Sequence, residues 1–186
     1  MFTPADFADL GSRTAVATAL KRHKAARTIR QIARGLYDVP RRHPKLGAPW
    51  PTVESLTEAV KRRDSVRLQP TGAYAANLLG LSDQVPMRVF LLTDGPQRKF
   101  KLGNLEITFK RTTPRNMATA GRMSGSVIQA LRWLGKRSVN DRTVRQLRKQ
   151  LNEDARRALL SDVRYAPVWI AEVMRQIAVG LPKTPQ

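Results

Sequence analysis

The strongest constraint on the fold lies in residues 2–40, which combine two helix starts, a basic hairpin pattern and a terminal proline. Thr3 before Pro4 predicts one helix start and Ser12 predicts a second, because a hydroxyl at this position accepts from the free amides of a helix N-terminus. A short helix over about 4–9 and a longer one after Ser12 form a helix-turn-helix pair. Such a pair is typical of DNA-binding domains.

A basic hairpin follows the helix pair. Between Thr28 and Val39, apolar residues alternate with polar and basic ones, and the alternation breaks at Arg34–Gly35. Glycine permits the positive φ that a tight turn needs, so this step is the predicted hairpin tip. A hairpin in this place can act as a wing that contacts phosphate or the minor groove. We therefore predict a winged helix-turn-helix over residues 1–44, although helix-helix-hairpin units also serve protein contacts.

The second helix has one apolar face and one face of small and basic side chains. Val16, Ala19, Leu20 and His23 recur at helical spacing and are predicted to point inward. The opposite face is narrow enough to enter a major groove. The predicted groove-facing residues are Ser12, Arg13, Thr14, Ala17 and Thr18. The predicted phosphate contacts are Lys21, Arg22, Lys24, Arg27, Arg30 and Arg34.

The charge of the chain favours a polyanionic partner. There are 34 Lys and Arg residues against 14 Asp and Glu residues, which gives a formal net charge of +20. Residues 1–44 carry nine basic and three acidic groups, residues 45–111 eleven and six, and residues 112–186 fourteen and five. Because the last third is the most basic, a winged helix cannot be the only surface that meets a negative partner.

Four prolines in residues 40–51 predict a semi-rigid strap, with Trp50 anchoring it to the protein surface. The 186 residues are enough for one ordinary core and a small second one, which suggests two domains. In residues 45–186, helices alternate with strands at first, and helical stripes follow from Ser124 on. The predicted fold class is α+β, with a winged helix-turn-helix followed by a small mixed sheet and C-terminal helices.

The composition argues against catalysis. There is no cysteine, and His23 and His43 are the only histidines. The sequence therefore has few residues from which a Ser/His or Cys/His catalytic pair could form. The acidic residues show no paired or metal-binding spacing, and no glycine-rich phosphate loop occurs. We expect no enzyme, no cofactor and no metal. Without a signal peptide or an apolar run of membrane-spanning length, we expect a cytoplasmic protein with no membrane partner.

Four segments carry a resemblance to a known family. FTPADFADLGSR, ALKRHKAARTIRQIARGLYDVP, PTGAYAANLLGLSDQVP and FLLTDGPQRKFKLGNLEITFKR resemble the antitoxins of the AbiEi type, including their short single-chain relatives of unknown function. The match runs from Phe2 to about Ile177. The resemblance implies a bacterial transcription regulator whose front domain binds operator DNA and represses its own promoter. It also implies that residues 45–186 are an antitoxin-type domain that neutralises a cognate nucleotidyltransferase toxin.

The chain departs from these relatives in two places. Relatives usually place another helix before the FTPADF segment, so either the start is truncated or another surface covers that face. We expect cover from the domain behind the strap or from a second copy, which would make a homodimer. Where relatives tend to read ALSRLVKAG, this chain reads ALKRHKAA, so His23 replaces an apolar residue and the loop glycine is absent.

The toxin-binding surface is expected in the basic last third. Arg142, Arg145 and Lys149 fall on one side of a predicted helix and are the candidate partner-binding residues, although such a face is more often simply solvated. The alternative function is a basic RNA-binding module without a toxin partner. RNA readers usually expose aromatic side chains for base stacking, and with 6% aromatic residues this alternative has less support.

Overall fold

The computed structural model describes residues 1–41 and 47–179, so part of the strap, including His43, lies outside the described residues. The described chain is an α+β protein. Its α-helices are α1 (Arg13–Ala25), α2 (Val53–Asp64), α3 (Gly72–Leu78), α4 (Pro114–Met117), α5 (Met123–Leu134), α6 (Asp141–Gln150), α7 (Glu153–Asp162) and α8 (Val168–Ala178). Its strands are β1 (Arg30–Ala33), β2 (Leu36–Asp38), β3 (Leu68–Thr71), β4 (Arg88–Thr93), β5 (Arg98–Leu102) and β6 (Leu105–Arg111). Short 3-10 helices span Pro4–Phe7 and Val163–Tyr165.

The chain forms two compact units. Unit 1 consists of Met1–Val66 and Arg98–Ile107, and unit 2 consists of Arg67–Gln97 and the described residues from Thr108 on. The boundary predicted near residue 44 lies within the range of unit 1, because this unit continues through α2. Across the described residues, no helix combines the length and the apolar character that crossing a bilayer requires.

In unit 1, the predicted hairpin is present. β1 and β2 are antiparallel, with partners Arg30↔Asp38, Gln31↔Tyr37 and Ala33↔Leu36. Arg34–Gly35 is therefore the tip, and Gly35 has a φ of 70°, which a side-chain-bearing residue rarely adopts. Phe2 adds an antiparallel bridge to Tyr37. A helix is expected over residues 4–9, but the structure has only a 3-10 helix over Pro4–Phe7 in this segment.

Helix α2 supplies a buried face to unit 1. Leu56, Ala59 and Val60 are buried, as the sequence predicts. The Thr52 hydroxyl oxygen accepts from the Ser55 amide at 3.2 Å and caps the helix start. Three basic residues lie in the last turn of α2, where the helix dipole favours positive charge.

The larger sheet has the strand order β3-β4-β6-β5. β3 and β4 are antiparallel, with Leu68 opposite Thr93 and Thr71 opposite Phe90. The sequence predicts β4 and β5 with the bounds that the structure has, because their alternation is flanked by turn residues. Asp94 and Gly95 predict a chain reversal after β4. The Asp94 carboxylate also accepts from the Arg67 amide and guanidinium, at 2.9 and 2.8 Å.

Unit 2 has a helical core. Ala75 and Ala76 are fully buried, so α3 packs closely against α5, as their small side chains predict. The stripes of α5, α6 and α8 are buried at Ile128, Leu147 and Met174. Two apolar residues of predicted helices are exceptions, Leu78 in the helix predicted to begin at Thr71 and Leu160 in the predicted stripe of Leu159, Leu160 and Val163. The side chains of Leu78 and Leu160 are exposed, because Leu78 lies in the last turn of α3 and Leu160 lies one position beyond the buried stripe of α7.

Candidate nucleic-acid interface

The outer face of α1 is free of acidic side chains. Ser12 caps the helix, with its hydroxyl oxygen accepting from the Ala15 amide at 3.2 Å, as predicted. The other groove-facing candidates follow it on the exposed face, and they are Arg13, Thr14, Ala17 and Thr18. Their side chains are short apart from Arg13. This face presents hydroxyl, methyl and guanidinium groups to solvent over about two turns of helix.

Basic side chains surround this face. Lys21, Arg22, Lys24 and Arg27 are all exposed. The Lys24 ammonium donates to the Gln31 side-chain oxygen at 2.6 Å, which links the end of α1 to the hairpin. Because glutamine is neutral, the charge of Lys24 stays uncompensated by this contact. Four of the six predicted phosphate contacts therefore lie on or directly after the helix that carries the groove-facing candidates.

Arg27 closes the C-terminus of α1 in a left-handed conformation. Its φ is 55°, where glycine is the usual residue. Its amide donates to the Lys24 carbonyl at 3.1 Å, and the Thr28 amide donates to the His23 carbonyl at 3.1 Å. These two bonds make a Schellman motif. An arginine thus holds the left-handed conformation that glycine usually adopts at this position, and it adds a charge.

The hairpin tip is held from below by α2. Arg63 donates to the main-chain oxygen of Arg34 at 2.7 Å, and the Arg34 side chain is exposed. Arg63 also binds both oxygens of Asp64 at 2.8 Å, and Arg98 binds Asp64 at 2.8 Å. The hydrogen bond from Arg63 keeps the pKa of Asp64 below its usual value despite burial, with further help from the charges of Arg63 and Arg98.

Arg30 has intramolecular partners that its assignment as a phosphate contact did not include. Its guanidinium pairs with Asp38 at 2.5 Å and donates to the carbonyl oxygens of Ala48 and Pro49. It also lies over the Trp50 ring, 4.5 Å from the centroid. Trp50 therefore anchors the strap, as predicted. Since the charge of Arg30 is neutralised by Asp38, we assign Arg30 to the support of the hairpin.

An apolar groove of about 590 Å³ opens beside α1 in unit 1. Phe2, Phe7, Val16 and Leu20 line it, and Leu10 at its edge is 75% exposed. His23 lies on the predicted face of α1 and also lines this groove, but the groove is open, so its side chain is exposed instead of buried. Its Nδ1 lies 3.1 Å from the Thr28 hydroxyl. The inward stripe of α1 is thus covered only in part by the described residues.

The partner-binding candidates share one face of α6. Arg142, Arg145 and Lys149 are exposed, and Val144 and Leu147 on the opposite face are buried. No carboxylate of the described chain forms an ion pair with these three basic side chains, although the exposed Asp141 lies one turn before Arg145 on the same side of α6. The described structure therefore leaves this face available to an acidic partner.

The sequence does not predict two features of the interface, although Arg27 itself is one of the predicted phosphate contacts. Arg63 supports the hairpin tip across 29 positions of sequence, and no local pattern marks such a contact. The left-handed Arg27 is also hidden, because a helix C-cap without glycine has no sequence signature.

Comparisons with known proteins identify the family of the chain but do not indicate a function. A search of curated proteins and a search of solved structures each find no match. A family profile matches residues 1–159, which is most of the chain. The chain therefore belongs to DUF6088, a family of unknown function.

Proposed function

We propose that the protein is a DNA-binding transcription regulator and an antitoxin, with unit 1 acting as a winged helix-turn-helix. The observation that carries the DNA-binding half is the acid-free outer face of α1, which lies in the same unit as the anchored hairpin tip at Arg34. A small, basic helix face beside a basic hairpin has the shape and charge that a duplex groove and its phosphates require.

In the proposed complex, the first turns of α1 enter the major groove. Arg13 is the side chain able to make a bidentate contact with a guanine edge, while Thr14 and Thr18 offer hydroxyl and methyl groups to bases. Lys21, Arg22, Lys24 and Arg27 bind phosphates on the flanks, and Arg34 at the hairpin tip binds phosphate or enters the minor groove. Ala17 contributes no polar group and permits close approach.

The antitoxin half of the proposal is supported by the resemblance to AbiEi-type antitoxins and by the positive face of α6. Neutralisation requires a complementary surface on the toxin, and the exposed Arg142, Arg145 and Lys149 would meet acidic side chains there. The homodimer expected from the sequence also stays a proposal. Two copies would place their recognition helices one helical turn of DNA, or a multiple of it, apart on a two-fold operator.

Base reading and phosphate binding are separable by mutation. Arg13→Ala is expected to cost roughly 1 to 3 kcal/mol at one operator position and to relax sequence preference there. Arg34→Ala is expected to weaken all duplexes alike and to lower the magnitude of the salt slope by about 1. Lys99→Ala is the matched control, since Lys99 is an exposed cation of the same unit outside the proposed interface. Unchanged binding in both arginine variants would contradict the winged-helix proposal.

The antitoxin half is tested by co-expression with the cognate nucleotidyltransferase toxin that this proposal requires. Reversal of Arg142, Arg145 and Lys149 to Glu is expected to impair rescue of growth and to leave duplex binding largely intact. Reversal of Lys136, Arg137 and Arg175 removes the same charge from other positions of unit 2 and is the control. Normal rescue combined with lost duplex affinity would place nucleic acid, and not a toxin, on α6.

A further inference from the structure

Three large apolar side chains are exposed in one short segment of unit 2, residues 78–87. Leu78, in the last turn of α3, is 49% exposed. In the loop between α3 and β4, Val85 is 81% and Met87 is 62% exposed. Singly exposed apolar residues are ordinary, whereas exposed apolar residues that occur as a group mark interaction sites. The segment is therefore a candidate contact for another molecule.

The loop is bonded to the helix that carries Leu78. The Asn77 side-chain amide donates to the carbonyl oxygens of Ser82 and Gln84 at 3.1 and 3.2 Å. The Ser82 hydroxyl oxygen also accepts from the Gln84 amide at 3.3 Å. Because Val85 directly follows Gln84 in the chain, its backbone lies at the same end of α3 as Leu78. The exposed apolar residues thus belong to a segment that hydrogen bonds hold in place.

This segment lies against α6 on the side that carries the predicted partner-binding residues. The Gln146 side-chain amide donates to the Gly80 carbonyl, and a Cβ at Gly80 would collide with the Gln150 amide. Gln146 is four positions after Arg142 and three before Lys149, so it is a neighbour of both on the helix surface. The apolar segment and the basic face of α6 are therefore adjacent surfaces of the same unit.

The charge of these two surfaces indicates the kind of partner. The exposed cations of α6, Arg142, Arg145 and Lys149, have no carboxylate partner in the part of the chain that the structure describes. Asp83 in the loop and Asp141 in α6 are the acidic residues of the two segments, so basic groups remain in excess. A second copy docked through the same surface would set the α6 cations against one another. A nucleic acid would use the cations and leave the apolar side chains without a contact.

We propose that residues 78–87 and the basic face of α6 form one docking surface for an acidic protein segment with an apolar face. Leu78, Val85 and Met87 supply the apolar contacts, and the α6 cations pair with carboxylates beside them. Naming the toxin as this partner rests on the proposed function. The docking surface adds to that function the apolar contacts that α6 alone does not offer, and apolar contacts at the centre of an interface carry much of its binding energy.

The test is fluorescence anisotropy with the full chain and three labelled peptides of equal length. The first, the Leu/Glu peptide, is an amphipathic helix with leucines on one face and glutamates on the other. The second has serine in place of leucine and keeps the charge. The third has glutamine in place of glutamate and keeps the apolar face. Together they separate the apolar contribution to affinity from the electrostatic one.

The variants remove the apolar side chains and leave every charge in place. The surface variant carries Leu78→Ser, Val85→Ser and Met87→Ser. The loop variant carries only the changes at Val85 and Met87, which lie outside any helix or strand, so it does not affect helix stability. The matched control carries Leu160→Ser, Val168→Ser and Met123→Ser, which removes the same three residue types, also exposed, from other elements of unit 2. Circular dichroism of each variant confirms folding before binding is measured.

The parent is expected to bind the Leu/Glu peptide about tenfold or more tightly than either of the other peptides. The surface variant is expected to bind the Leu/Glu peptide about tenfold more weakly, and the loop variant about threefold more weakly. Both should bind the serine peptide as the parent does, because that peptide has no apolar face. Equal affinity of the parent for all three peptides, or equal weakening in the matched control, would overturn the proposal.

Two other occupants would be detected with the same variants. Self-association of the parent that the surface variant abolishes, measured by sedimentation, would place a second copy on this surface. Weaker binding of an oligonucleotide by the surface variant would place nucleic acid there. Either result would overturn the proposal of an acidic protein partner.

Co-expression with the toxin separates the docking surface from the proposed function. The surface variant is expected to lose rescue of growth, while the parent and the matched control rescue. Rescue by the parent and the surface variant alike would overturn the docking surface and leave the antitoxin role intact. Absence of rescue by the parent would contradict the antitoxin role, and the peptide affinities would then decide the docking surface alone.

Discussion

Arg63 donates a hydrogen bond to the main-chain oxygen of Arg34 at 2.7 Å, and this bond connects the last turn of α2 to the tip of the β1-β2 hairpin. The guanidinium of Arg63 is oriented by Asp64, which accepts from it twice at 2.8 Å. The position of the hairpin tip therefore depends on a helix that follows the strap in sequence. A hairpin with a two-residue tip has few contacts of its own, so this bond restrains the backbone that carries the Arg34 side chain.

Removal of the Arg63 guanidinium is expected to affect stability and DNA binding together. Arg63→Gln should lower the free energy of unfolding by roughly 1 to 3 kcal/mol, because the variant lacks a charge-assisted hydrogen bond and an ion pair. It should also weaken duplex binding, since the hairpin tip is released. Chemical denaturation and anisotropy measure the two effects.

Arg62→Gln is the control for this prediction. Arg62 is a neighbour in the same turn whose hydrogen bond to the Met1 carbonyl is long at 3.4 Å. Its replacement removes the same charge and should leave stability within about 0.5 kcal/mol of the parent. Equal destabilisation by both changes would contradict a supporting role for Arg63.

Arg27→Gly is expected to stabilise the protein and to weaken its binding to DNA. The left-handed conformation of Arg27 costs roughly 1 kcal/mol relative to glycine, so urea denaturation should show a gain of about that size. The magnitude of the salt slope for duplex binding should fall by about 1, since the variant neutralises one phosphate fewer. Arg27→Lys keeps both strain and charge and should change neither quantity. A decrease in stability in Arg27→Gly would argue against the Schellman cap.

Acid should weaken unit 1 through Asp64. The folded-state pKa of Asp64 lies below its usual value of 3.8, because Arg63 and Arg98 favour the carboxylate. As the pH falls, Asp64 is therefore protonated in the unfolded chain before it is protonated in the folded protein. The contribution of its carboxylate to the free energy of unfolding is complete above about pH 4. It disappears as the pH falls through the pKa of Asp64 in the folded protein. Asp64→Asn should show a smaller decrease in stability between neutral pH and about pH 3. Identical acid profiles of parent and variant would exclude this role.

A fragment of residues 1–44 is expected to be largely unfolded and unable to bind DNA. Buried side chains of unit 1, such as Leu56, Val60 and Leu102, lie outside the fragment. About 40 residues without disulfides enclose too little apolar area to be stable alone. Circular dichroism and duplex binding would show this directly. A folded, DNA-competent fragment would show that the front segment needs neither α2 nor β5.

The parts of the fold that sequence predicts well are those with a local cause. The stripe around Ile128 repeats at helical spacing and ends at Gly135, so α5 follows from periodicity and one glycine. The β5-β6 turn follows from Gly103–Asn104 in the same way. Leu78 and Leu160 belong to apolar stripes but are exposed. Apolar residues at the edge of a stripe can remain exposed, because their burial depends on how the helices pack.

The candidate site is less predictable, because its geometry depends on contacts that are distant in sequence. A basic residue gives the same local signal whether it faces solvent, as Arg34 does, or binds a carboxylate, as Arg30 does. The hydrogen bond from Arg63 to the Arg34 main-chain oxygen spans 29 positions, and no local pattern predicts it. The sequence therefore predicts the charge of the surface and not the partners of individual side chains.

The most direct test of the proposed function is the affinity of the full chain for three partners at several salt concentrations. These are the duplex of its own promoter, a scrambled duplex of equal length, and the corresponding RNA. A specific regulator should bind its promoter about a thousandfold or more tightly than the scrambled duplex, with a steep salt dependence for both. Equal affinity for the two duplexes, or tighter binding to the RNA, would contradict the account.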